Sequence, residues 1–396
     1  MNLRLLFITE NYPPDRGGMG ESCDRIVRGF GRAGVSVDVV HFDRKSAAAS
    51  FHQTSHGSLV RMPSNGDPAH AINLLWNRLQ QNLDVDAVTH VVAFGGTLPL
   101  LAAPVFAAWM GRPLVTLIRG NELDAGLFDP RRRPVLDDAL RRSDAICTVT
   151  VSQAKKIAAL HAGTQPHVVP NGIDFELWQA TGADRARGAA WRAQHVAPSR
   201  RVLGFFGHLK SKKGVPFFID SLVRSGLADR FHLLLVGEVE EAVAAMLPDL
   251  AHSLVASVDR FDLLPYYTAA DLVVLPSHYD GFPNVLIEAA TLGRPLLASA
   301  VGGMLDVLTD GANAFLFAPG DEHACRDAIA RAADAELQQM GEAAASLAQA
   351  RFDAADETRR YLKVLETVQE EFDAKADRDR RADPAARRLS WRAHGS

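Results

Sequence analysis

Three cysteines in 396 residues, Cys23, Cys147 and Cys325, stand far apart, without C-x-x-C or metal-ligand spacing. That excludes a disulfide framework and a zinc ribbon, and a reducing compartment is the simpler expectation. No stretch reaches the roughly 20 apolar residues of a membrane span, so any membrane contact is expected to be peripheral. The opening L-R-L-L-F-I-T-E reads as a strand and is too short for a signal peptide. A net charge of −4 excludes wholesale binding of nucleic acid. The first crossover loop lacks G-x-G-x-x-G, which disfavours an NAD-linked oxidoreductase. No D-x-D sits in the strand context a metal site would use, so no obligatory metal is expected. There is no internal sequence repeat. What is present is 47% hydrophobic and 23% charged, the balance of a soluble globular protein long enough for two domains.

One stretch organises the rest, from Pro276 to Gly303. Ala269–Leu275 before it is apolar enough for a buried parallel strand. Ala289–Gly293 reads as a helix ending at glycine, and Pro295–Ser299 as a further strand. Tyr279–Asn284 is therefore a strand-to-helix loop at the carboxyl edge of a parallel sheet, where open α/β sheets bind ligands. Gly281 is expected to adopt a backbone shape that side chains resist. Pro283 suits a helix start, whose free N–H groups suit a diphosphate. Asp280 and Glu288, eight apart, place one carboxylate on the loop and one inside the helix, fit to accept hydroxyls from a vicinal diol.

D-G-F-P-N-V-L-I-E-A resembles the E-x7-E signature of family 4 retaining glycosyltransferases, with Asp280 where the family usually has Glu. The resemblance implies the α/β GT-B architecture: two Rossmann-like domains with parallel sheets facing an interdomain cleft. It implies that Glu288 holds the nucleotide ribose, Asp280 lies by the donor sugar, and the Gly281, Phe282, Pro283 and Asn284 segment holds the diphosphate. Gly17 and Gly18 resemble the glycine pair that approaches donor phosphate and acceptor. Gly207–Gly214 resembles G-R-L-x-x-x-K-G, with Lys213 as the diphosphate lysine and His208 in place of the arginine. Whether His208, Lys210 or Arg119 supplies the second charge is open. Arg119 stands in a loop where many members carry histidine; it cannot act as a base at neutral pH. It is expected to hold the donor diphosphate or an anionic acceptor, or else to form a surface salt bridge with Glu122 or Asp124. Val258 lies in the segment expected to meet the nucleobase.

The expected catalytic set is Asp280, Lys213 and Arg119. The donor is expected to be a UDP- or GDP-linked sugar used as substrate, without a cofactor. The acceptor is expected to contain sugar or be lipid-linked, and the location to be cytoplasmic, with peripheral contact at the inner face of a membrane. Another GT-B enzyme (an epimerase or hydrolase) and a non-catalytic nucleotide-sugar-binding protein stay open as alternatives. The expected boundaries are 1–180 for the first domain, 181–200 for a linker, 201–352 for the second domain, 353–375 for a helix crossing back, and 376–396 for a disordered tail. Lys45–Ser58 reads as a mobile loop and Ser152 as a helix N-cap. The basic segment 129–142 reads as a solvated, salt-bridged helix. Asn171–Gly172 reads as turn chemistry with a structural role.

Overall fold

The computed structural model describes residues 3–15, 17–64, 67–120 and 122–382. Its first sheet holds β1 (Arg4–Thr9), β2 (Ser36–Asp43), β3 (Ser50–Thr54), β4 (Gly57–Pro63), β5 (His90–Phe94), β6 (Leu114–Ile118), β7 (Ala145–Thr148) and β8 (His167–Val168). The order is β3-β4-β2-β1-β5-β6-β7-β8, parallel except for the β3–β4 pair. The second sheet holds β9 (Arg201–Phe206), β10 (Phe231–Val236), β11 (His252–Val255), β12 (Leu272–Leu275), β13 (Leu296–Ser299) and β14 (Ala314–Phe317). It runs β11-β10-β9-β12-β13-β14, with parallel pairings throughout. Strands such as β5 and β12 are buried at every position, as sheets covered by helices on both faces require.

The helices of the first half are α1 (Gly18–Arg32), α2 (Pro68–Asn82), α3 (Thr97–Met110), α4 (Glu122–Phe128), α5 (Arg133–Arg142) and α6 (Val151–Leu160). Those that follow are α7 (Gly182–His195), α8 (Val215–Arg224), α9 (Glu241–Ala244), α10 (Arg260–Ala269), α11 (Asn284–Thr291), α12 (Glu322–Asp334), α13 (Gln338–Arg351) and α14 (Ala354–Ala382). The core on one face of the first sheet is filled from α2, α3 and α5, and that on the other from α1 and α14. Thus the last helix returns to the first half, where Tyr361, Val364, Leu365 and Val368 complete its core. The two crossing segments lie side by side: Ile173 N donates to Phe352 O at 2.6 Å, and Ala354 N to Ile173 O at 3.0 Å.

Several expectations need correction. Of 45–58, residues 45–49 lie outside the strands as loop; from Ser50 on, β3 and β4 form an edge hairpin whose outer strand is exposed and polar, which hides it from an apolar-run reading. Within 181–200 lies the capped helix α7, with Thr181 and Asp184 forming a reciprocal capping box. It packs on α10 so closely that a Cβ on Gly188 would sit 2.5 Å from Pro265 O. Thr150, not Ser152, caps α6. The crossing helix continues to Ala382, past 375; residues 383–396 of the expected tail lie outside the described residues. Of the segment 129–142, residues 133–142 form α5, with the bridges Arg133–Asp137 and Arg142–Asp138 that its charge pattern suggested, and 129–132 form a turn before it.

Candidate active site

Strand order reverses between β1 and β5 in one sheet and between β9 and β12 in the other. Loops that leave such neighbouring strands in opposite directions open a crevice at the carboxyl edge. Here the two crevices form one cavity of about 850 Å³ between the sheets. Glu10, Asn11, Gly17 and Gly96 line it from the first half, and loops 207–214 and 276–283 from the second.

Glu288 lies on the second turn of α11, where the helix runs back from the loop into the core. Its carboxylate is partly buried and accepts the Tyr267 hydroxyl at 2.6 Å. Tyr267 is fully buried and stacked on Phe206 at 3.8 Å between centroids, so the carboxylate has a rigid support. Burial pushes the Glu288 carboxyl up to about 7, with Glu21 adding to the rise against the Tyr267 hydrogen bond. The fold thus holds this proton more tightly than the unfolded chain does. Its stability contribution is full below about 4.5 and is lost as pH rises through about 7. Glu288→Gln should therefore raise the stability of the ligand-free protein at pH 8 by about 1–3 kcal/mol and leave it unchanged at pH 4. Denaturant titrations at the two pH values test this; equal gains at both would refute it.

Lys213 and Asp280 form an ion pair across the second half's crevice, with Asp280 also 3.4 Å from Ser277 Oγ. Lys213 is set by a short turn, Ser211–Lys213, ended by the left-handed Gly214 (φ +67°). A Cβ on Gly214 would lie 1.9 Å from Pro276 O, so glycine is what brings the lysine loop against the Asp280 loop. His208 is exposed and 3.7 Å from the exposed Glu238. Lys210 lines the cavity without an ion pair among the described residues, and Lys212 lies over the Tyr279 ring at 4.8 Å.

The Phe282–Asn284 segment leads into α11, with Pro283 at the N-cap rather than in the first turn. Proline has no N–H, so only Phe282 and Asn284 of the three offer backbone donors. Gly281 has no left-handed φ, contrary to expectation. Its lack of a side chain serves close approach: a Cβ would stand 3.0 Å from Gly120 Cα of the first half. Gly17 (φ +124°) precedes α1. Gly18 accepts at its carbonyl from Asn284 Nδ2 at 3.0 Å and so meets the 282–284 segment, while Gly17 lines the cavity. Val258 lies at the cavity wall, packed on the second half's core.

Arg119 is held by buried partners where it had been expected to stand open to a donor or acceptor. Its side chain is 1% exposed. The guanidinium donates to the Tyr361 hydroxyl, to Asn171 Oδ1 and, at 3.2 Å, to Glu357 Oε1. Nor is it in a surface salt bridge: Glu122 accepts the backbone N–H groups of Arg119 and Gly120, and Asp124 pairs with Lys156. The guanidinium is turned toward partners on α14, while Arg119 still lines the cavity. Reasoning on the chain alone also missed Tyr267 as the support of Glu288, and Arg260, which lines the cavity and bridges to Glu21 of the first half at 3.4 Å. Neither has a spacing signal, because Tyr267 and Glu288 are brought together by two separate strand–helix units.

The comparisons with known proteins divide at the same place as the sheets. Residues 16–177 match Glycosyltransferase Family 4, and residues 200–335 match Glycosyl transferases group 1. A D-inositol 3-phosphate glycosyltransferase of Actinosynnema mirum is 33% identical over 254 residues, covering 56% of this chain and 59% of that relative. One of the same name from Kribbella flavida is 27% identical over 382 residues, covering 85% and 87%. Among solved structures, sucrose-phosphate synthase of Thermosynechococcus elongatus superposes with a TM-score of 0.74 at 19% identity, covering 93% and 99%. Anabaena HepE in complex with UDP-glucose gives 0.73 at 18%, covering 92% and 100%.

Proposed function

The chain belongs to the family 4, group 1 glycosyltransferases of GT-B fold, and from that premise we propose that it moves a sugar from a UDP-linked donor to a hydroxyl of a phosphorylated acceptor, with retention of anomeric configuration. The observation that carries the reading is the alignment of three features along one cavity. These are Glu288 braced by Tyr267, the open N-terminus of α11, and the Lys213–Asp280 pair.

In this reading Glu288 accepts the ribose hydroxyls and the Val258 segment meets the base. The diphosphate sits at the start of α11, where the N–H groups of Phe282 and Asn284 and the helix dipole favour an anion. Lys213 exchanges Asp280 for the diphosphate and stabilises its charge as the glycosidic bond breaks. Lys210 serves as the second cation, since His208 faces Glu238. Asp280, released, orients the sugar hydroxyls. A phosphate oxygen of the leaving group takes the acceptor's proton on the same face, so no protein base and no metal is required.

An anionic acceptor is supported by Arg44 and Arg132, which reach the cavity from the first half. It is supported also by the relatives whose names specify inositol 3-phosphate. Among the described residues no helix is long and apolar enough to cross a membrane. The 88% exposed Phe128, just before Arg131–Arg133, supports peripheral contact with an anionic surface.

Calorimetric titration with UDP-glucose, UDP-N-acetylglucosamine and GDP-mannose, with and without EDTA, tests the donor assignment. Expected is UDP-selective binding indifferent to EDTA and weakened roughly tenfold or more in Glu288→Ala. Equal binding by a folded Glu288→Ala removes the ribose assignment. Turnover of donor without any acceptor points instead to a hydrolase or epimerase, and binding without turnover across a wide panel of acceptors points to a binding protein.

A further inference from the structure

The buried polar cluster around Arg119 is larger than packing needs. Two guanidiniums, Arg119 and Arg25, share one carboxylate: Arg25 Nε donates to Glu357 Oε2 at 2.8 Å, and Arg119 donates to Oε1 at 3.2 Å. Glu357 also accepts the Gly172 N–H at 3.1 Å. This cluster ties α1, the loop after β6, the 171–172 segment and α14 together, all within or against the first half. One member points the other way. Asn171, 4% exposed, takes Arg119 on its oxygen and donates from Nδ2 to Phe282 O at 2.9 Å and to Asn284 Oδ1 at 3.0 Å. Asn284 in turn donates to Gly18 O at 3.0 Å and to Ser22 Oγ at 3.2 Å. A continuous hydrogen-bond chain therefore runs from a buried cation of the first half, through the loop that starts α11, and back to the start of α1.

An asparagine amide has two ends of opposite polarity, and an arginine offers only donors. With Arg119 against it, the Asn171 carbonyl must face the guanidinium, and its NH2 must face the two oxygens of the loop. Turned round, the amide would set its NH2 against the guanidinium and its oxygen against the Phe282 carbonyl. A neutral group at 119 able to accept as well as donate would not impose that choice.

We infer that Arg119 is a positioning residue: it fixes the polarity of Asn171, which latches the Phe282–Asn284 loop of the second half onto the first half in the arrangement that receives the donor. The inference rests on the reading of that loop as the diphosphate site. It assigns to the arginine in the R-G-N-E loop a role without substrate contact.

Asn171→Asp separates this role from a merely structural one. The new carboxylate keeps its partner Arg119 and balances the two guanidiniums, so the buried cluster stays paired, but it can no longer donate to Phe282 O. Asn284→Ala cuts the same chain at its other end. Two readouts are made on each folded variant: amide hydrogen exchange of residues 281–287 without ligand, and UDP-glucose affinity and kinetics. Expected are faster exchange in that segment and a roughly tenfold rise in donor Kd and KM, with kcat less affected. The double variant should be little worse than either single one, since both break one chain. Exchange or donor affinity equal to wild type in either folded variant overturns the inference. Failure of the wild-type protein to bind any nucleotide sugar instead sinks the donor reading on which it rests.

Discussion

Lys213→Ala is expected to lower kcat by about 10²–10³-fold, with a smaller change in donor KM. In the proposed reading the ammonium, set at the cavity by a defined backbone turn, acts where charge grows as the diphosphate leaves. In that reading the donor's ground-state charge is already partly met by the α11 N-terminus, so binding should survive better than chemistry. Asp280, whose side chain is 18% exposed, is already released from the lysine once the donor is bound, so the loss is that of the lysine's attraction alone. Lys213→Ala/Asp280→Asn should not recover it, because the second change weakens the group that orients the sugar. Initial rates with saturating donor and acceptor decide the matter. A kcat within a few-fold of wild type in the folded single variant would remove Lys213 from the chemistry.

Gly302→Ala should be among the most damaging small substitutions near the site. Gly302 has φ +52°, and a Cβ there would lie 1.9 Å from Asp280 O and 3.1 Å from Gly281 O. The left-handed conformation alone costs about 1–2 kcal/mol with a side chain. The clash is with backbone, which cannot swing away, and relieving it means pushing the donor loop outward. A total of about 3 kcal/mol or more is expected, a fall in Tm of roughly 6–10 °C. Donor affinity should fall with it, because the Gly303 N–H that holds Gly281 O at 2.7 Å moves too. Gly111→Ala is the control: its φ is +60°, but nothing lies within 4 Å of the added Cβ. It should show the conformational strain alone, with donor binding intact. Thermal melts of the two variants side by side test the claim; equal losses would mean that the contact with Asp280 is of no consequence.

The Asp280–Glu288 unit was legible because it is local. Asp280, Gly281, Pro283 and Glu288 lie on one strand–loop–helix unit whose apolar runs and glycines announce it, and Lys213 sits in a comparable unit. What was illegible is what comes from afar. Arg119 reads as a loop cation because its partners Glu357 and Tyr361 are some 240 residues away, on a helix whose polar residues look solvated in sequence. Asn171 reads as a turn residue, but the chain at 171–172 runs without a turn, and its side chain reaches Phe282 in the other half. Gly281 was read for its backbone freedom, whereas its use is the nearness of Gly120, a contact only the assembled halves create. The β3–β4 hairpin escaped notice because an exposed edge strand buries too little to leave an apolar signature.

The return of α14 to the first sheet bears on how the protein is made. The first half's sheet is complete once residue 168 has been synthesised, but its core lacks Tyr361, Val364, Leu365 and Val368 until the chain is nearly finished. At about 5–20 residues per second the ribosome needs on the order of 10–40 s to cover that gap. During this time the face later covered by α14 stays open to solvent and to chaperones, and the second half can collapse around its own sheet. The half that is made first is thus the last to be sealed. A nascent chain stalled before residue 354 should expose the first sheet's open face to limited proteolysis while its second half resists, and release of the full chain should abolish the difference.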